Sequence, residues 1–113
     1  MLELGELVDR GIQIVKRNFP GRDFADLRAL ATSIVQRPGM IALLSTSGEK
    51  PQLVFARSAD LPNDMNALLK QTLTLLANGR GGGTAQMAQG GGSGDEAQIS
   101  EALNAAERSI VSA

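Results

Sequence analysis

Three short segments of the chain carry the hydrophobic patterns of β-strands. In residues 11–19 (GIQIVKRNF), Ile12 and Ile14 alternate with polar positions, which predicts a strand with both isoleucines facing the core. Residues 40–44 (MIALL) are continuously apolar, as in a strand that is buried on both faces. Residues 52–57 (QLVFAR) follow the turn-forming letters SGEK, so the last two segments together predict an antiparallel hairpin.

Two longer segments place apolar residues at helical spacing, and each predicts an amphipathic helix. The first begins after Asp23, with Asp26 three residues later as in a capping box, and ends at the Pro-Gly pair of 38–39. The second begins after Asn63 or Asp64. The predicted buried stripes are Phe24, Leu27, Leu30, Ala31, Ile34 and Val35 in the first helix, and Met65, Leu68, Leu69, Thr72, Leu75 and Leu76 in the second.

The end of the chain predicts a third helix after a glycine-rich segment. The second helix is expected to stop at Asn78-Gly79, with the glycine left-handed, and residues 85–89 predict a short strand. Asp95 is expected to cap the third helix. Its predicted buried stripe is Ile99, Ala102, Leu103, Ala106 and Ile110.

The predicted order is strand, helix, strand, strand, helix, short strand, helix. Three helices over a small mixed sheet is the simplest architecture that buries all the apolar stripes, so the predicted fold class is α/β (α+β). At 113 residues the chain predicts one domain, spanning 1–113.

The residue types that the chain lacks narrow its possible functions. It has no cysteine and no histidine, which removes disulfides, thiolate or imidazole metal sites and histidine-based acid–base chemistry. It has no tryptophan or tyrosine and three phenylalanines, so an aromatic platform for stacking bases is not expected. We therefore expect no catalytic residue, no metal and no cofactor.

The charge of the chain is nearly balanced. A net charge of −1 gives no overall basic field that would attract nucleic acid, although the last twenty residues are acid-rich and the first quarter has a basic bias. That basic bias comes from Arg10, Lys16, Arg17, Arg22 and Arg28. The longest apolar run is too short to cross a bilayer and the acidic start is unlike a signal peptide, so we expect a cytoplasmic location and no membrane partner.

The segment 79–95 (GRGGGTAQMAQGGGSGD) is the main candidate site. A P-loop needs a lysine that the segment lacks, and a Rossmann fingerprint follows a strand, whereas this segment follows a predicted helix. Consecutive glycines can still aim several N–H groups at one anion, beside an arginine and before the N-terminus of the last helix. The candidate phosphate- or nucleic-acid-binding residues are Arg80, Gly81, Gly82, Gly83, Thr84, Gln86, Gln89, Gly90 and Gly91.

Two other interpretations of this segment stay open. Gly/Ser-rich runs often serve as flexible linkers, although this one joins two amphipathic helices in a chain too small for two domains. Alternatively, the glycines only allow the short strand to pack tightly beneath a helix. The binding interpretation places two donor-rich turns on either side of that strand.

The letters GRGGGTAQMAQGGG, followed by a capped helix, resemble the C-terminal, DHH-associated domain of alanyl-tRNA synthetases, which is also found in DHH-type phosphoesterases. The resemblance extends to the passages LRALATSIVQRPGMIALLS, QLVFARSADL and NALLKQTLTLLANG. It covers about residues 24–112, and residues 11–19 are similar to the strand that precedes this region in the family.

The resemblance implies a non-catalytic domain that contacts tRNA near the elbow, helps to bring the aminoacylation and editing sites together on one tRNA, and in places supports dimerisation. In the phosphoesterases a histidine follows the last glycine of the turn, and in synthetases an arginine usually does. Here Thr84 stands at that position, which argues against the phosphoesterase role and weakens one expected phosphate contact. Arg80 is retained, with Gln86 and Gln89 as hydrogen-bonding partners.

Three functions are therefore considered. The first is a non-catalytic domain that contacts tRNA(Ala), as the C-terminal part or a stand-alone relative of an alanyl-tRNA synthetase. The second is a protein-interaction or dimerisation module that uses the acid-rich last helix, unless Glu96, Glu101 and Glu107 form only a solvated face. The third is a phosphate-ester-binding domain of a DHH-type phosphoesterase, for which a chain without His, Cys or a carboxylate cluster offers few metal ligands. Asp60 and Asp64 could share a helix-entry face, but both are better explained as turn and cap residues.

Overall fold

The computed structural model describes residues 6–9, 12–21, 23–47 and 50–112. The elements in this part of the chain are β1 (Glu6–Asp9), β2 (Ile12–Asn18), α1 (Phe24–Ile34), β3 (Met40–Thr46), β4 (Gln52–Arg57), α2 (Met65–Leu73), β5 (Ala77–Gly83), β6 (Met87–Ser93) and α3 (Glu96–Ser112). The strands form one sheet in the order β1-β2-β3-β4-β6-β5. β2 and β3, which α1 connects, are parallel, and the other neighbouring pairs are antiparallel. The predicted mixed sheet with three helices is confirmed.

The sheet has helices on both faces. Residues of α2 and α3 share one buried cluster with β2, β3, β4 and β6, whereas α1 packs on the opposite face, over β3 and β4. Every residue of β3 is buried. Ile41 and Leu43 belong to the first cluster, and Ala42 and Leu44 to the second, so β3 is buried on both faces as its continuous apolar run predicts.

The predicted strand over 11–19 and the predicted hairpin are also confirmed. Ile14 is fully buried and Ile12 packs against the same cluster, while position 11 lies outside the described residues. β3 and β4 pair antiparallel from Ile41 opposite Arg57 to Thr46 opposite Gln52.

The sheet contains more strands than the sequence pattern predicts. The pattern does not predict β1, and the single short strand expected over 85–89 is replaced by β5 and β6, which contain both glycine runs. Glycine has a low intrinsic preference for strands, so local sequence gives little strand signal here. The glycine-rich β6 is a strand because it pairs with β4, not because its local sequence favours a strand.

The first helix confirms its predicted apolar stripe but not its predicted cap. Leu27 and Ala31 are fully buried, and the other stripe residues pack against them. Asp23 occupies the N-cap position, but its side chain makes no cap hydrogen bond. A capping box needs a side chain long enough to reach back to the N-cap N–H, which the short Asp26 is not.

The second helix ends earlier than predicted. Asp64 caps it by accepting a hydrogen bond from the Ala67 N–H over 3.1 Å, which confirms the cap. α2 stops at Leu73, which is buried. Leu75 lies beyond the end of the helix and is 49% exposed, so its assignment to the buried stripe is wrong. The left-handed residue is Asn78, with φ of 56°, rather than Gly79. Both residues already belong to β5, in the stretch between Ala77 and Arg80 where its pairing with β6 is irregular.

The third helix begins with a capping box. The Gln98 N–H donates to the Asp95 carboxylate, and the Gln98 side-chain oxygen accepts from the Asp95 N–H, both over 2.8 Å. All five residues of its predicted stripe are buried.

The two aspartates at helix starts give a matched test of these caps. Asp64→Ala is expected to lower the free energy of unfolding by about 1 kcal/mol, because it removes a cap hydrogen bond. Asp23→Ala is expected to lower it by no more than about 0.3 kcal/mol, since only the interaction of its charge with the helix end is lost. Urea unfolding followed by circular dichroism measures both. Equal losses in the two variants would contradict the difference between the caps.

Candidate nucleic-acid interface

The glycine segment folds as a two-stranded ribbon at one edge of the sheet. β6 pairs with β4 on one side and with β5 on the other, so the ribbon extends the central hairpin. The Thr84 N–H donates to the Met87 carbonyl over 2.8 Å, and the Met87 N–H donates to the Thr84 hydroxyl over 3.2 Å. The threonine side chain thus helps to close the turn between the strands.

Two backbone hydrogen bonds fix the tip of this ribbon. The Met65 N–H, at the start of α2, donates to the Ala85 carbonyl, and the Arg57 N–H, at the end of β4, donates to the Gln86 carbonyl, each over 2.9 Å. A segment paired along its length and held at its tip is not a flexible linker, so that interpretation is wrong.

The outer edge of β5 presents backbone donors to solvent. In an antiparallel ladder, hydrogen-bonded pairs alternate with pairs that are not hydrogen-bonded. Thr84 and Met87 form the hydrogen-bonded pair next to the turn, so counting back along β5 gives the alternation. Gly82 and Arg80 are hydrogen-bonded to β6, whereas the N–H groups of Gly83 and Gly81 point away from it. Both glycines are exposed. The predicted pair of compact donor-rich turns is therefore wrong, because the sheet uses most of these N–H groups and leaves the free ones along an extended edge.

The ribbon strands approach each other too closely for side chains at their central pair. A Cβ on Gly81 would lie 2.6 Å from the Cα of Gly90, and a Cβ on Gly90 would lie 3.0 Å from Leu73 Cδ1 in α2. Close approach of this kind requires glycine. The packing interpretation therefore accounts for these two positions. Gly82 differs, because its Cβ would lie 3.5 Å from Asn66 Oδ1, an ordinary contact distance.

Two cations lie beside the exposed strand. Arg80 is an exposed residue of β5 itself. Lys70 of α2 is close to Gly82: its Cε lies 4.0 Å from the point that a Cβ on Gly82 would occupy. Neither forms an ion pair with another described residue. Asn66, one helical turn before Lys70, has a buried Oδ1 without a hydrogen-bond partner among the described residues. Sequence reasoning misses Lys70, because only the folded ribbon distinguishes it from any other exposed helix lysine.

The structure separates the other predicted site residues from this edge. Gly90 and Gly91 lie in β6, whose backbone is paired with strands on both sides. Gln89 is half-buried in the same strand, and Gln86 is exposed at the tip. The N-terminus of α3, also expected to favour an anion, is occupied by the carboxylate of Asp95.

The basic residues of the first quarter do not form one patch. Lys16 pairs with Glu107 of α3 at 3.0 Å, whereas Arg17, the next residue, lies on the α1 face. Arg10 and Arg22 lie outside the described residues. Strand alternation thus sends neighbouring basic side chains to opposite faces of the sheet.

The acidic residues of the last helix have different environments. Glu96 is exposed, and Glu101 pairs with Arg108 at 2.9 Å on the exposed surface. Glu107 is half-buried against β2 through its pair with Lys16. The solvated-face interpretation therefore describes the first two glutamates but not the third.

The carboxylates proposed for a hydrolytic role have structural roles instead. Asp60 accepts a hydrogen bond from the Gly39 N–H over 3.1 Å, and hydrogen bonds from Ser58 and then Gly39 lower the pKa of Asp60. Asp64 caps α2.

The described part of the chain contains no group of three or more His, Cys, Asp or Glu that could hold a metal ion. None of its helices is long and apolar enough to cross a membrane.

The different surroundings of Gly81 and Gly82 predict different tolerance to a methyl group. Gly81→Ala is expected to lower the free energy of unfolding by more than about 1 kcal/mol, because the new Cβ meets backbone that cannot move aside. Gly82→Ala is expected to change it by less than about 0.5 kcal/mol in either direction. Urea unfolding, with hydrogen exchange of the β6 amides, measures both. Equal tolerance at the two positions would show that close approach is not what requires glycine.

Comparison with known proteins relates the chain to alanyl-tRNA synthetases. No protein-family profile matches it. It is 39% identical over 88 residues to the alanine–tRNA ligase of Methanoregula boonei, covering 78% of this chain and 9% of the ligase. It is 38% identical over 105 residues to that of Mycobacterium avium, covering 86% of this chain and 11% of the ligase. The chain thus spans about a tenth of the length of these relatives.

A solved structure matches nearly the whole fold. The C-Ala domain from Aquifex aeolicus alanyl-tRNA synthetase aligns with a TM-score of 0.84 and 24% sequence identity, covering 96% of this chain and 98% of that domain. This chain therefore has the fold of that C-Ala domain. The resemblance inferred from the sequence is therefore confirmed, and the chain is a relative of the C-Ala domain of alanyl-tRNA synthetases.

Proposed function

We propose that this chain is a non-catalytic domain that binds tRNA through its phosphate backbone, using the outer edge of β5. The observation that carries this proposal is that Lys70 and Arg80, which have no acidic partner among the described residues, lie beside a glycine strand with exposed N–H groups. Phosphate oxygens accept hydrogen bonds from backbone amides, lysine and arginine alike. Gly81 and Gly83 are exposed, so a phosphate can reach their outward N–H groups from solvent.

The charge of the chain limits the strength of this binding. With a net charge of −1 and two cations at the edge, the domain neutralises few phosphates, so binding is weak and its salt dependence shallow. Phosphate contacts position a nucleic acid without reading its sequence. Selection of tRNA(Ala) therefore comes from the shape of the tRNA or from other parts of a synthetase.

The names of the relatives support tRNA as the proposed ligand. Their names are those of alanine–tRNA ligases, and tRNA is the macromolecule that such ligases charge. We extend this partner to the present chain, as a single domain over 1–113 that acts either as the C-terminal part of a synthetase or as its stand-alone relative in the cytoplasm. Thr84 does not replace the arginine of that family, since its hydroxyl is engaged in the turn.

Three single alanine variants test the proposed edge. Arg80→Ala and Lys70→Ala are each expected to weaken tRNA binding by about threefold to tenfold at low salt and to reduce the slope of log affinity against log salt by about one. Arg108→Ala removes the same charge from α3, where Glu101 pairs with the arginine, and is expected to have little effect. Fluorescence anisotropy of labelled tRNA at low and physiological salt measures all three.

Two outcomes would count against the proposal. If all three variants weaken binding equally, only overall charge matters and the edge of β5 is not the site. If the unmodified domain does not bind tRNA even at low salt, the chain does not have the proposed function.

A protein-interaction module is the second candidate, and the open edge of β5 favours it. A strand with unpaired backbone groups can add a strand from another polypeptide, including a second copy of this chain. Sedimentation over a concentration series tests self-association. A rise in apparent mass with concentration would support this candidate, and constant mass would remove the homodimer.

A further inference from the structure

A second recessed surface lies on the α1 face, near β2 and away from the glycine ribbon. α1 covers only β3 and β4 on this face of the sheet. The gap between α1 and β2 is a half-open cavity of about 520 Å³. Because β2 and β5 are on opposite sides of the β3–β4 pair in the sheet, this cavity is distinct from the proposed tRNA-binding edge.

The floor of the cavity is mainly aliphatic. Val15 of β2 and Leu44 of β3 line it from the sheet, and Leu30 and Ile34 line it from the helix. Val15, Leu30 and Ile34 are only partly buried, although they pack against the core cluster beneath α1. Recessed apolar surface with a polar rim is typical of sites that receive a side chain or ligand.

Two arginines form the charged part of the rim. Arg37 and Arg17 both line the cavity, both are exposed, and neither forms an ion pair with a described residue. The Arg17 guanidinium carbon lies 5.4 Å from the centre of the Phe19 ring, within range of a cation–π contact that holds it at the rim. The described lining residues include no acidic side chain. Among the described residues, the cavity therefore combines an apolar floor with a positive rim that has no acidic partner.

We propose that this cavity is a docking site for an acidic amphipathic polypeptide segment, which inserts an aliphatic side chain and places its carboxylates on Arg17 and Arg37. The charge of the rim selects acidic residues, and arginine and aromatic residues are the types enriched at the centres of protein interfaces. Single-stranded RNA fits less well, because the floor is aliphatic and Phe19 is already covered by Arg17.

The experiment uses the whole chain and two synthetic helical peptides. One peptide carries leucines at helical spacing flanked by glutamates, and its twin has lysine in place of every glutamate. Titration into ¹⁵N-labelled protein is expected to shift the amide signals of Val15, Phe19 and Ile34 with the acidic peptide alone. Arg37→Glu is expected to weaken this binding by at least about fivefold, because it reverses one charge at the rim.

Arg28→Glu is the matched control, since Arg28 is exposed on α1 and does not line the cavity. It is expected to change the affinity less than about twofold. Unchanged thermal unfolding would establish that both variants are folded. Three results would overturn the proposal: no binding of the acidic peptide, equal binding of both peptides, or equal weakening by both variants. Displacement of the acidic peptide by a short oligonucleotide would assign the cavity to nucleic acid instead.

Discussion

The two central strands, β3 and β4, must be buried on both faces, and the remaining elements are arranged around this requirement. Their alternate side chains supply two separate apolar clusters, so neither face can be left to solvent. Leu43 and Phe55 face the cluster that α2 and α3 cover, whereas Leu44 and Val54 face the cluster beneath α1. Two helices cover one face of the sheet, whereas α1 alone covers the other. The single helix covers β3 and β4 but leaves a recess beside β2.

The glycine ribbon follows a steric constraint that also determines its chemistry. Gly81 and Gly90 allow β5 and β6 to pair at a distance that excludes a Cβ, and the alternation of this pairing leaves the N–H groups of Gly81 and Gly83 on the outer edge of β5. Packing and binding are therefore not competing explanations of the same residues. Gly81 and Gly90 are required for the two strands to pair this closely, and the formed ribbon presents the donors that the proposed function uses.

Electrostatics in this domain depends on which charges are paired rather than on their sum. Lys16 and Arg108 each have a glutamate partner at 3.0 Å or less, which compensates them locally. Arg80 and Lys70 at the edge of β5, and Arg17 and Arg37 at the cavity beside α1, have no ion-pair partner among the residues described. These two pairs of cations on different parts of the surface suit the two proposed anionic partners, a phosphate backbone and a carboxylate-bearing polypeptide.

The sequence by itself determined the helices and strands that depend on residues close to one another in the chain. The apolar run of β3, the stripe of α3 and the caps at Asp64 and Asp95 are set by periodicity and by hydrogen bonds between near neighbours, and the fold class followed from them. The family resemblance rested instead on the letters GRGGGTAQMAQGGG and the passages that accompany them. Only the tertiary structure decided that the glycine segment forms two strands. Glycine has no side chain that could give a hydrophobic pattern, and β6 becomes a strand through its pairing with β4. The place of Lys70 beside Gly82 likewise depends on residues distant in sequence meeting in the fold.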